Sequence, residues 1–419
     1  MSPTVTDDEL TRRFAPVFAR IAEGSRVREA DRTLPYAEVE LLREAGFGRI
    51  RIPREHGGFG ATIPQFAAQL IELGKADSNL PQLLRGHFGF AESRLVHPDD
   101  AVRDRWLRRI AAGDLVGNAQ SERTGGSFWQ PETTITEGPG GRRRITGRKF
   151  YSTGSLFADW IQTGARVGPD RAANVVVRAT ADGVSRIDDW DGFGQRLTGS
   201  GTTLFEEVII APEDVEELTV DRFTDSYQAA FFQLIHLATL AGIGRAALAD
   251  TVTFVTGRSR NLFHPAHPQP RTDPQVQEVV GRIAGASYAA DAATLAAAHA
   301  VEAVHRAQRS GEATRDLFDG ADVAVYRAQG QVVRLVLGLA TELFEVGGAS
   351  AVTERFGLDR HWRNARTLAS HNPVVYRDRI VGDYLLNATS PATAYTRGAP
   401  AAQGAPAGWN GEENATDSP

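Results

Sequence analysis

The sequence predicts a mainly α-helical protein with a central β domain, and two observations carry this prediction. Apolar residues recur at helical spacing in both outer parts of the chain, whereas glycine, threonine and β-branched residues form short alternating runs between them. This change divides the chain into an N-terminal helical domain, a β domain, a C-terminal four-helix bundle and a disordered tail, at 1–115, 116–220, 221–395 and 396–419. The tail is rich in proline, glycine, alanine and serine, a composition that does not build a core.

Composition excludes several classes of function. The 419 residues are 42% hydrophobic and 23% charged, as in an ordinary globular protein, and the net charge of -6 does not favour a nucleic acid partner. The chain has no cysteine, which excludes disulfides, a cysteine nucleophile and thiolate metal sites. Its start lacks the apolar core of a signal peptide, and no run of about 18 apolar residues suggests a membrane span. We therefore expect a cytoplasmic protein without a membrane partner.

Three segments of the N-terminal part have the periodicity of amphipathic helices. They are "LPYAEVELLREAGF" at 34–47, "TIPQFAAQLIELGKAD" at 62–77 and "DDAVRDRWLRRIAAGD" at 99–114. Gly46 and Gly113 stand where the first and third patterns stop, as glycines often do at helix ends.

The middle of the chain is typical of strands separated by turns. The runs are "RRRITGRKFYSTG" at 142–154, "DWIQTGARV" at 159–167, "ANVVVRAT" at 173–180 and "TTLFEEVIIAP" at 202–212. We interpret them as one β-rich domain of about 100 residues.

Four long helical patterns follow, which favours an antiparallel bundle. They occupy about 226–260, 274–310, 323–346 and 373–388. Asp273 and Pro274 open the second pattern with a capping side chain followed by proline at the first helical position. A glycine pair closes the third.

Five segments, in this order, resemble the acyl-CoA dehydrogenases, and the resemblance covers roughly residues 10–390. The segments are "NAQSERTGGSF" (118–128), "ITGRKFYSTGSLFADW" (145–160), "RLTGSGTTLFEEVIIAPEDV" (196–215), "RSRNLF" (258–263) and "ELFEVGGAS" (342–350). The resemblance implies the acyl-CoA dehydrogenase fold, with a helical domain, a β-barrel-like domain and a four-helix bundle. It also implies a flavin cofactor and a homotetramer.

The resemblance assigns cofactor contacts to these segments. Amide, hydroxyl and backbone donors would meet the pyrimidine edge of the flavin, an aromatic ring would form a wall, and an arginine would pair with a phosphate. The predicted cofactor-binding residues are Asn118, Gln120, Ser121, Ser127, Tyr151, Thr153, Arg258, Arg260, Phe263 and Gly348.

The sequence lacks the carboxylate with which a dehydrogenase of this family removes an α-proton. One family position for that base falls in the segment "DRHWRNARTLASHNP" at 359–373, which has His371 and no acid after Asp359. The other falls in the first bundle helix, where Gln233 and His236 stand. The segment instead resembles the reduced-flavin-dependent monooxygenases of this fold, the group D enzymes that include the dibenzothiophene and sulfone monooxygenases.

This second resemblance implies an FMNH2- and O2-dependent monooxygenase that acts through a C4a-(hydro)peroxyflavin. The catalytic residues it predicts are His87, His371, Asn118, Ser152 and Thr153. The predicted pocket for a small apolar or aromatic substrate containing sulfur or nitrogen is lined by Phe88, Phe90, Phe232, His236 and Leu368. Leu368 stands where the family has the first of two histidines.

The implied partners are O2, a small-molecule substrate and a separate NAD(P)H-dependent flavin reductase. No dinucleotide-binding fingerprint is found in the chain, and a freely delivered reduced flavin favours FMN over FAD. Two alternatives stay open at this point. One is an FAD-dependent dehydrogenase with an unusual base, and the other is a flavin-binding relative without catalysis.

Three histidine-containing motifs also have simple structural interpretations. His87 has the pattern of a hydrogen-bonded core histidine, and His371 that of a residue capping the last helix. "HPAH" at 264–267 is typical of a proline-rich loop, since two histidines do not complete a metal site, and we predict no metal.

Overall fold

The N-terminal part of the protein is built from six helices. The computed structural model describes residues 5–123, 130–169, 171–219, 224–261 and 266–396. The helices are α1 (Asp7–Asp31), α2 (Tyr36–Ala45), α3 (Ile63–Ala76), α4 (Asn79–Leu83), α5 (Arg85–Leu95) and α6 (Asp100–Ala111). Thr62 begins α3 with a capping box to Gln65, and Gly46 ends α2 in the left-handed conformation at φ 79°.

The middle of the chain forms one sheet. Its strands are β1 (Val116–Ala119), β2 (Thr134–Glu137), β3 (Arg143–Lys149), β4 (Trp160–Val167), β5 (Arg171–Arg178), β6 (Val184–Ile187), β7 (Thr202–Ile210) and β8 (Val215–Glu217). They lie in the order β6-β7-β3-β2-β4-β5-β8, with β1 parallel to β4. The sheet encloses its own core around Ile145, Ile161, Val175 and Phe205.

The C-terminal part is a bundle of long helices with shorter ones at its end. They are α7 (Gln228–Thr256), α8 (Pro274–Ser310), α9 (Arg315–Glu342), α10 (Asp359–His371), α11 (Val374–Asn387) and α12 (Thr393–Thr396). The Asp273 side chain accepts a hydrogen bond from the Gln275 amide, which confirms the predicted cap of α8.

One helix of this region was not among the predicted helical patterns. The polar segment from Asp359 to His371 forms α10. His361, Asn364, Ala365, Leu368 and Ala369 form its buried face.

Helices from both ends of the chain share one hydrophobic core. Helix α3 packs along α7, and an aromatic cluster joins Phe66 of α3 to Phe88 of α5 and Phe231 of α7, with ring centroids 4.7 and 5.6 Å from Phe66. The bundle therefore supports α5. The predicted fold class, helices around a central sheet, is confirmed.

Helix α7 is long and apolar enough to span a membrane by length and composition. In the described residues it is the one helix of this kind, and 78% of its most apolar window is buried inside the protein. This burial is what a central core helix requires.

Some predicted features lie outside the described residues. They are Ser127, Phe263, His264 and residues 397–419 of the predicted tail. The boundaries predicted for the domains remain predictions.

A buried carboxylate joins α5 to the bundle. Arg51 contacts Glu92 through Nε at 2.9 Å and Nη2 at 2.8 Å, and it also donates to the Ala61 carbonyl. The Tyr227 hydroxyl lies 2.8 Å from Glu92 and 2.6 Å from Nδ1 of His305. Burial alone would raise the pKa of Glu92, but the Arg51 guanidinium holds it well below its ordinary value.

We expect Glu92→Ala to destabilise the protein by about 3–5 kcal/mol, because Arg51 would remain buried without its counter-charge. Urea unfolding at neutral pH measures the change. The matched control is Glu278→Ala, which breaks an exposed Glu–Arg pair on α8 and should cost less than about 1 kcal/mol. Equal losses in the two variants would contradict the role given to Glu92.

Candidate active site

Two neighbouring segments of the β domain form one wall of the site. The backbone N–H of Asn118, near the end of β1, donates to the backbone carbonyl of Thr153 at 3.3 Å. The Ser155 hydroxyl donates to the backbone carbonyl of Asn118 at 3.4 Å. Ser121 pairs with Phe150 across an isolated β-bridge. The structure thus brings together the two segments in which most of the cofactor contacts were predicted.

A buried ion pair holds these segments in register. Lys149 at the end of β3 is fully buried, and its ammonium group lies 2.6 Å from Glu122. Glu122 also accepts hydrogen bonds from the amide and hydroxyl of Thr133. Because Lys149 directly precedes the Phe150–Gly154 turn, this pair fixes where that turn begins.

Tyr151 combines an unusual backbone conformation with an exposed aromatic side chain. Its φ is 56°, a region that residues other than glycine rarely adopt, and its side chain is 52% exposed. The edge of its ring meets Trp190 with centroids 6.0 Å apart. An exposed aromatic ring held by a strained backbone fits the predicted role of a flavin wall.

A line of hydroxyl groups lies behind Tyr151. The Thr153 and Ser200 hydroxyls are 2.8 Å apart, and the Ser200 and Thr198 hydroxyls are 2.7 Å apart. The Ser152 hydroxyl is buried and has no hydrogen-bond partner among the described residues, and the same holds for the Gln195 side-chain amide. Unpartnered buried polar groups are rare away from ligand sites, so these atoms indicate a place for a polar ligand.

The opposite side of the site begins at α5, which lies against both β1 and α7. A Cβ on Gly86 would stand 2.6 Å from the Asn118 Cβ, and a Cβ on Gly89 would stand 2.0 Å from the Phe232 ring. Only glycine allows these two approaches. Helix α5 is therefore fixed between the sheet wall and α7.

Arg85 opens α5 and reaches toward α7. Its Nε donates to the Phe232 carbonyl at 3.1 Å, and its guanidinium lies 4.7 Å from the centroid of the Phe232 ring. No Asp or Glu among the described residues forms an ion pair with it. Burial lowers the pKa of Arg85 to about 10, so the group is charged at neutral pH.

Two histidine rings meet beside Arg85. His236 on α7 and His371 at the end of α10 have ring centroids 4.6 Å apart. His236 is buried, and neither of its ring nitrogens has a partner among the described residues. His371 keeps exposed surface although protein packs around it. Burial and the charge of Arg85 lower the pKa of both rings below the ordinary histidine value, so both are neutral near pH 7.

Hydrogen bonds from neighbouring amides fix the end of α10. The Asn372 side chain donates to the Gln233 amide oxygen at 2.9 Å, and the Gln329 side chain donates to the Asn372 carbonyl at 2.7 Å. These bonds hold His371 against α7 and α9.

The structure does not place His87 with this group. Its Nε2 donates to the Gly48 carbonyl at 2.8 Å, and its Nδ1 accepts from the Val116 amide at 3.2 Å. Both nitrogens are used by the backbone, and the ring is 1% exposed. His87 lies two residues from Arg85, which turns it about 200° around the helix. In this structure His87 joins α5 to β1, and its catalytic role stays a prediction.

Three predicted pocket residues belong to cores instead. Phe88 is in the shared helical core, Phe90 packs edge-on against Trp106 at 4.8 Å, and Leu368 is 3% exposed in the shared core. On α5, Phe88 and Phe90 lie about 100° to either side of Gly89, the residue that meets the Phe232 ring. Phe232 and His236, also predicted for the pocket, remain at the site.

The predicted phosphate contacts lie at the far end of α7. Arg258 donates to the Val346 carbonyl at 3.1 Å, beside the turn at Gly348, and Arg260 is exposed. None of the hydrogen bonds found among the described residues joins this group to the Asn118–Thr153 wall. The side chain of Gln120 lies toward Gly164 of β4.

Sequence reasoning missed Arg85, Gln195 and Ser200. The sequence did contain a sign of Arg85, because "LPQLLRGHFGF" places an arginine in an apolar helical run. The nearest acidic residues, Asp77 and Glu92, are eight and seven residues away. Gln195 and Ser200 are in a glycine-rich loop whose path depends on contacts such as Gln195 N to Asn364 Oδ1 at 2.6 Å. Sequence alone does not supply such long-range contacts.

Comparison with known proteins agrees with this geometry. Residues 8–114 match the acyl-CoA dehydrogenase N-terminal domain, and residues 234–376 match the acyl-CoA dehydrogenase C-terminal domain. Dibenzothiophene monooxygenase of Rhodococcus erythropolis is 30% identical over 375 residues, which cover 86% of this chain and 89% of that protein. The chain belongs to the acyl-CoA dehydrogenase family.

Several of its relatives within the family are named as monooxygenases. The probable FMNH2-dependent monooxygenase SfnC of Pseudomonas putida is 28% identical over 92% of this chain and 96% of SfnC. The crystal structure of FMN-bound TdsC from Paenibacillus sp. A11-2 aligns with a TM-score of 0.82 at 29% identity, over 91% of this chain and 98% of TdsC. The resemblance stated from the sequence is thereby confirmed.

A stability measurement tests the structural role of His87. Burial lowers the pKa of His87 to about 4, so the folded protein resists protonation of this ring. As the pH falls below about 6.5 the unfolded chain takes up the proton first, and stability is lost down to about pH 4, by roughly 3 kcal/mol.

In His87→Gln, which cannot titrate there, we expect the loss of unfolding free energy between about pH 7 and pH 4 to shrink by roughly that amount. Urea unfolding across this range measures it, with the exposed His299→Gln as the control. An unchanged pH dependence would refute the assignment.

Proposed function

We propose that this protein is a two-component flavin-dependent monooxygenase that uses FMNH2 and O2 to oxygenate a small sulfur- or nitrogen-containing substrate. The observation that carries the proposal is the contact between the neutral rings of His236 and His371. A dehydrogenase of this family needs a carboxylate base at one of these two places. In this chain His236 and His371 occupy the two positions, and the guanidinium of Arg85 lies beside them.

The donors of the sheet wall fit a flavin. Asn118 lies against Thr153, and Ser121 pairs with Phe150 beside Tyr151. The Ser152 hydroxyl and the Gln195 side-chain amide, which have no hydrogen-bond partner among the described residues, offer further polar contacts to the flavin. When bound, reduced FMN would supply the two electrons that activate O2. The residues named here would hold its ring, exclude water and orient it toward α7.

The histidines suit oxygen chemistry. A neutral imidazole has one N–H donor and one acceptor nitrogen, so each ring can donate to an oxygen atom and return a proton. His236 has no competing partner among the described residues. We propose that His371, the more accessible ring, is the proton donor and that His236 sets its orientation.

Three further proposals follow from the family. A separate NAD(P)H-dependent flavin reductase supplies FMNH2. The protein is a cytoplasmic homotetramer, in which Arg258 and Arg260 of one subunit reach the flavin phosphate of another. Arg258 lies just beyond α7, and about 24 residues, or roughly 36 Å of helix, separate Phe232 from Thr256 at the end of α7, which supports a contact across a subunit boundary.

The deciding experiment follows flavin absorbance after rapid mixing. Protein with FMNH2, kept without oxygen, is mixed with oxygenated buffer in the absence of substrate. We expect a transient species absorbing at shorter wavelength than oxidised FMN, formed before oxidised FMN appears. Direct oxidation at the rate of free FMNH2 would contradict the proposal. Bleaching of bound FAD by an acyl thioester would support a dehydrogenase instead.

His371→Ala tests the proton donor. We expect unchanged FMN affinity, a rise in hydrogen peroxide released per FMNH2 consumed, and a loss of oxygenated product of roughly 10²-fold. Peroxide and product are quantified in single-turnover reactions. His299→Ala, an exposed histidine on α8, serves as the control. Unchanged product in His371→Ala would remove this residue from the mechanism.

Arg260→Ala tests the phosphate contact. Loss of a charge-assisted hydrogen bond should raise the Kd for FMN roughly 10-fold or more. FMN fluorescence titration measures it, and sedimentation checks that the oligomer is intact. Arg20→Ala, an exposed residue of α1, should leave the Kd unchanged. If Arg260→Ala binds FMN normally, the phosphate lies elsewhere.

A further inference from the structure

We propose that Arg85 binds an anionic oxygen group of the substrate, so that this site selects small organic oxyanions, sulfinates or carboxylates, over neutral aromatic sulfur compounds. The inference rests on the proposed function for the reaction itself. It replaces the purely apolar or aromatic substrate expected from the sequence with an amphiphilic one.

The first observation is the missing counter-charge. Arg51 is held by Glu92, Arg94 by Glu216 and Arg28 by Asp77 and Glu38. Arg85 is partly buried, yet among the described residues its one polar partner is the Phe232 carbonyl. A guanidinium has five N–H donors, and only one is used here. Burying a cation is costly unless an anion accompanies it.

The second observation is the direction of the side chain. The bond to Phe232 O and the stacking over the Phe232 ring place the guanidinium against α7. His236 lies one helical turn after Phe232, and His371 contacts His236. The charge of Arg85 lowers the pKa of both rings, which agrees with its position on their side of the site.

The third observation is the chemical character of the pocket wall. Arg85 contributes a fork of donors, and each neutral histidine contributes one N–H. Neither histidine has an Asp or Glu among the causes of its pKa shift. Beside these donors, Phe232 offers an apolar surface for the rest of the substrate. Donors of this kind beside an apolar ring complement a planar or pyramidal oxyanion on an apolar body.

For a sulfinate the reaction balances. The sulfur lone pair takes one oxygen atom from O2, and the sulfinate becomes a sulfonate. The second oxygen atom leaves as water with two electrons and two protons from FMNH2, which ends as FMN. The two original sulfinate oxygens carry the charge throughout, so Arg85 can hold them from substrate to product while His371 moves a proton.

Direct binding to the FMN-loaded protein tests the inference without turnover. Calorimetry compares benzenesulfinate, benzoate and the neutral methyl phenyl sulfone. We expect the wild-type protein to bind benzenesulfinate roughly 10- to 100-fold more tightly than the sulfone. In Arg85→Gln this ratio should fall to about 1, and Arg85→Lys, which keeps the charge but not the fork, should be intermediate. Arg20→Gln is the control.

Other results of the binding experiment would contradict or redirect the role proposed for Arg85. No preference for anions in the wild-type protein overturns the inference, whether or not the variants fold. If Arg85→Gln instead raises the Kd for FMN and leaves the anion preference intact, Arg85 is a flavin contact and the inference is wrong. Tight benzoate binding without sulfinate oxidation would assign a carboxylate substrate. The flavin transient measured without substrate tests the proposed function separately, since it does not require an anion.

Discussion

The structure depends on the burial of one carboxylate at the junction of its helical parts. Glu92 is 1% exposed, and it is tolerated there only because Arg51 and Tyr227 meet it directly. Arg51 follows α2, Glu92 is on α5, and Tyr227 precedes α7, so three separate stretches of chain must come together before this charge is compensated. An ion pair of this kind adds little net stability over apolar packing, but it penalises every other arrangement of α5.

The orientation of α5 then determines the site. Arg85, Gly89 and Glu92 are spaced at i, i+4 and i+7, so they share one face of the helix. Glu92 anchors that face at the start of α7, Gly89 admits the Phe232 ring, and Arg85 meets the Phe232 carbonyl. A rotation of α5 by one residue, about 100°, would remove all three contacts. The fixed junction therefore places a positive charge beside the histidines.

The sequence predicted where most helices and strands lie, but it did not predict which side of each helix faces the site. Periodicity and local signals such as Asp273-Pro274 predicted the fold class and most long elements, because these depend on neighbouring residues. The helix α10 was missed because its polar residues dominate its composition. The sequence did not show that both ring nitrogens of His87 contact the backbone, and Arg85 two residues earlier was overlooked. Which side of α5 faces α7 is set by Tyr227 and Arg51, which are distant in sequence.

The electrostatics of the site separate this chain from the dehydrogenases of its family. A dehydrogenase places a negative base beside an uncharged thioester, whereas here a cation stands beside two neutral rings. Arg85 without an anion remains an uncompensated charge in a partly buried place, and a neutral thiophene would leave it so. An oxyanion would compensate it and place its reacting atom near His371 in the same step. The selectivity therefore comes from the cost of leaving Arg85 unpaired, and less from the shape of the pocket.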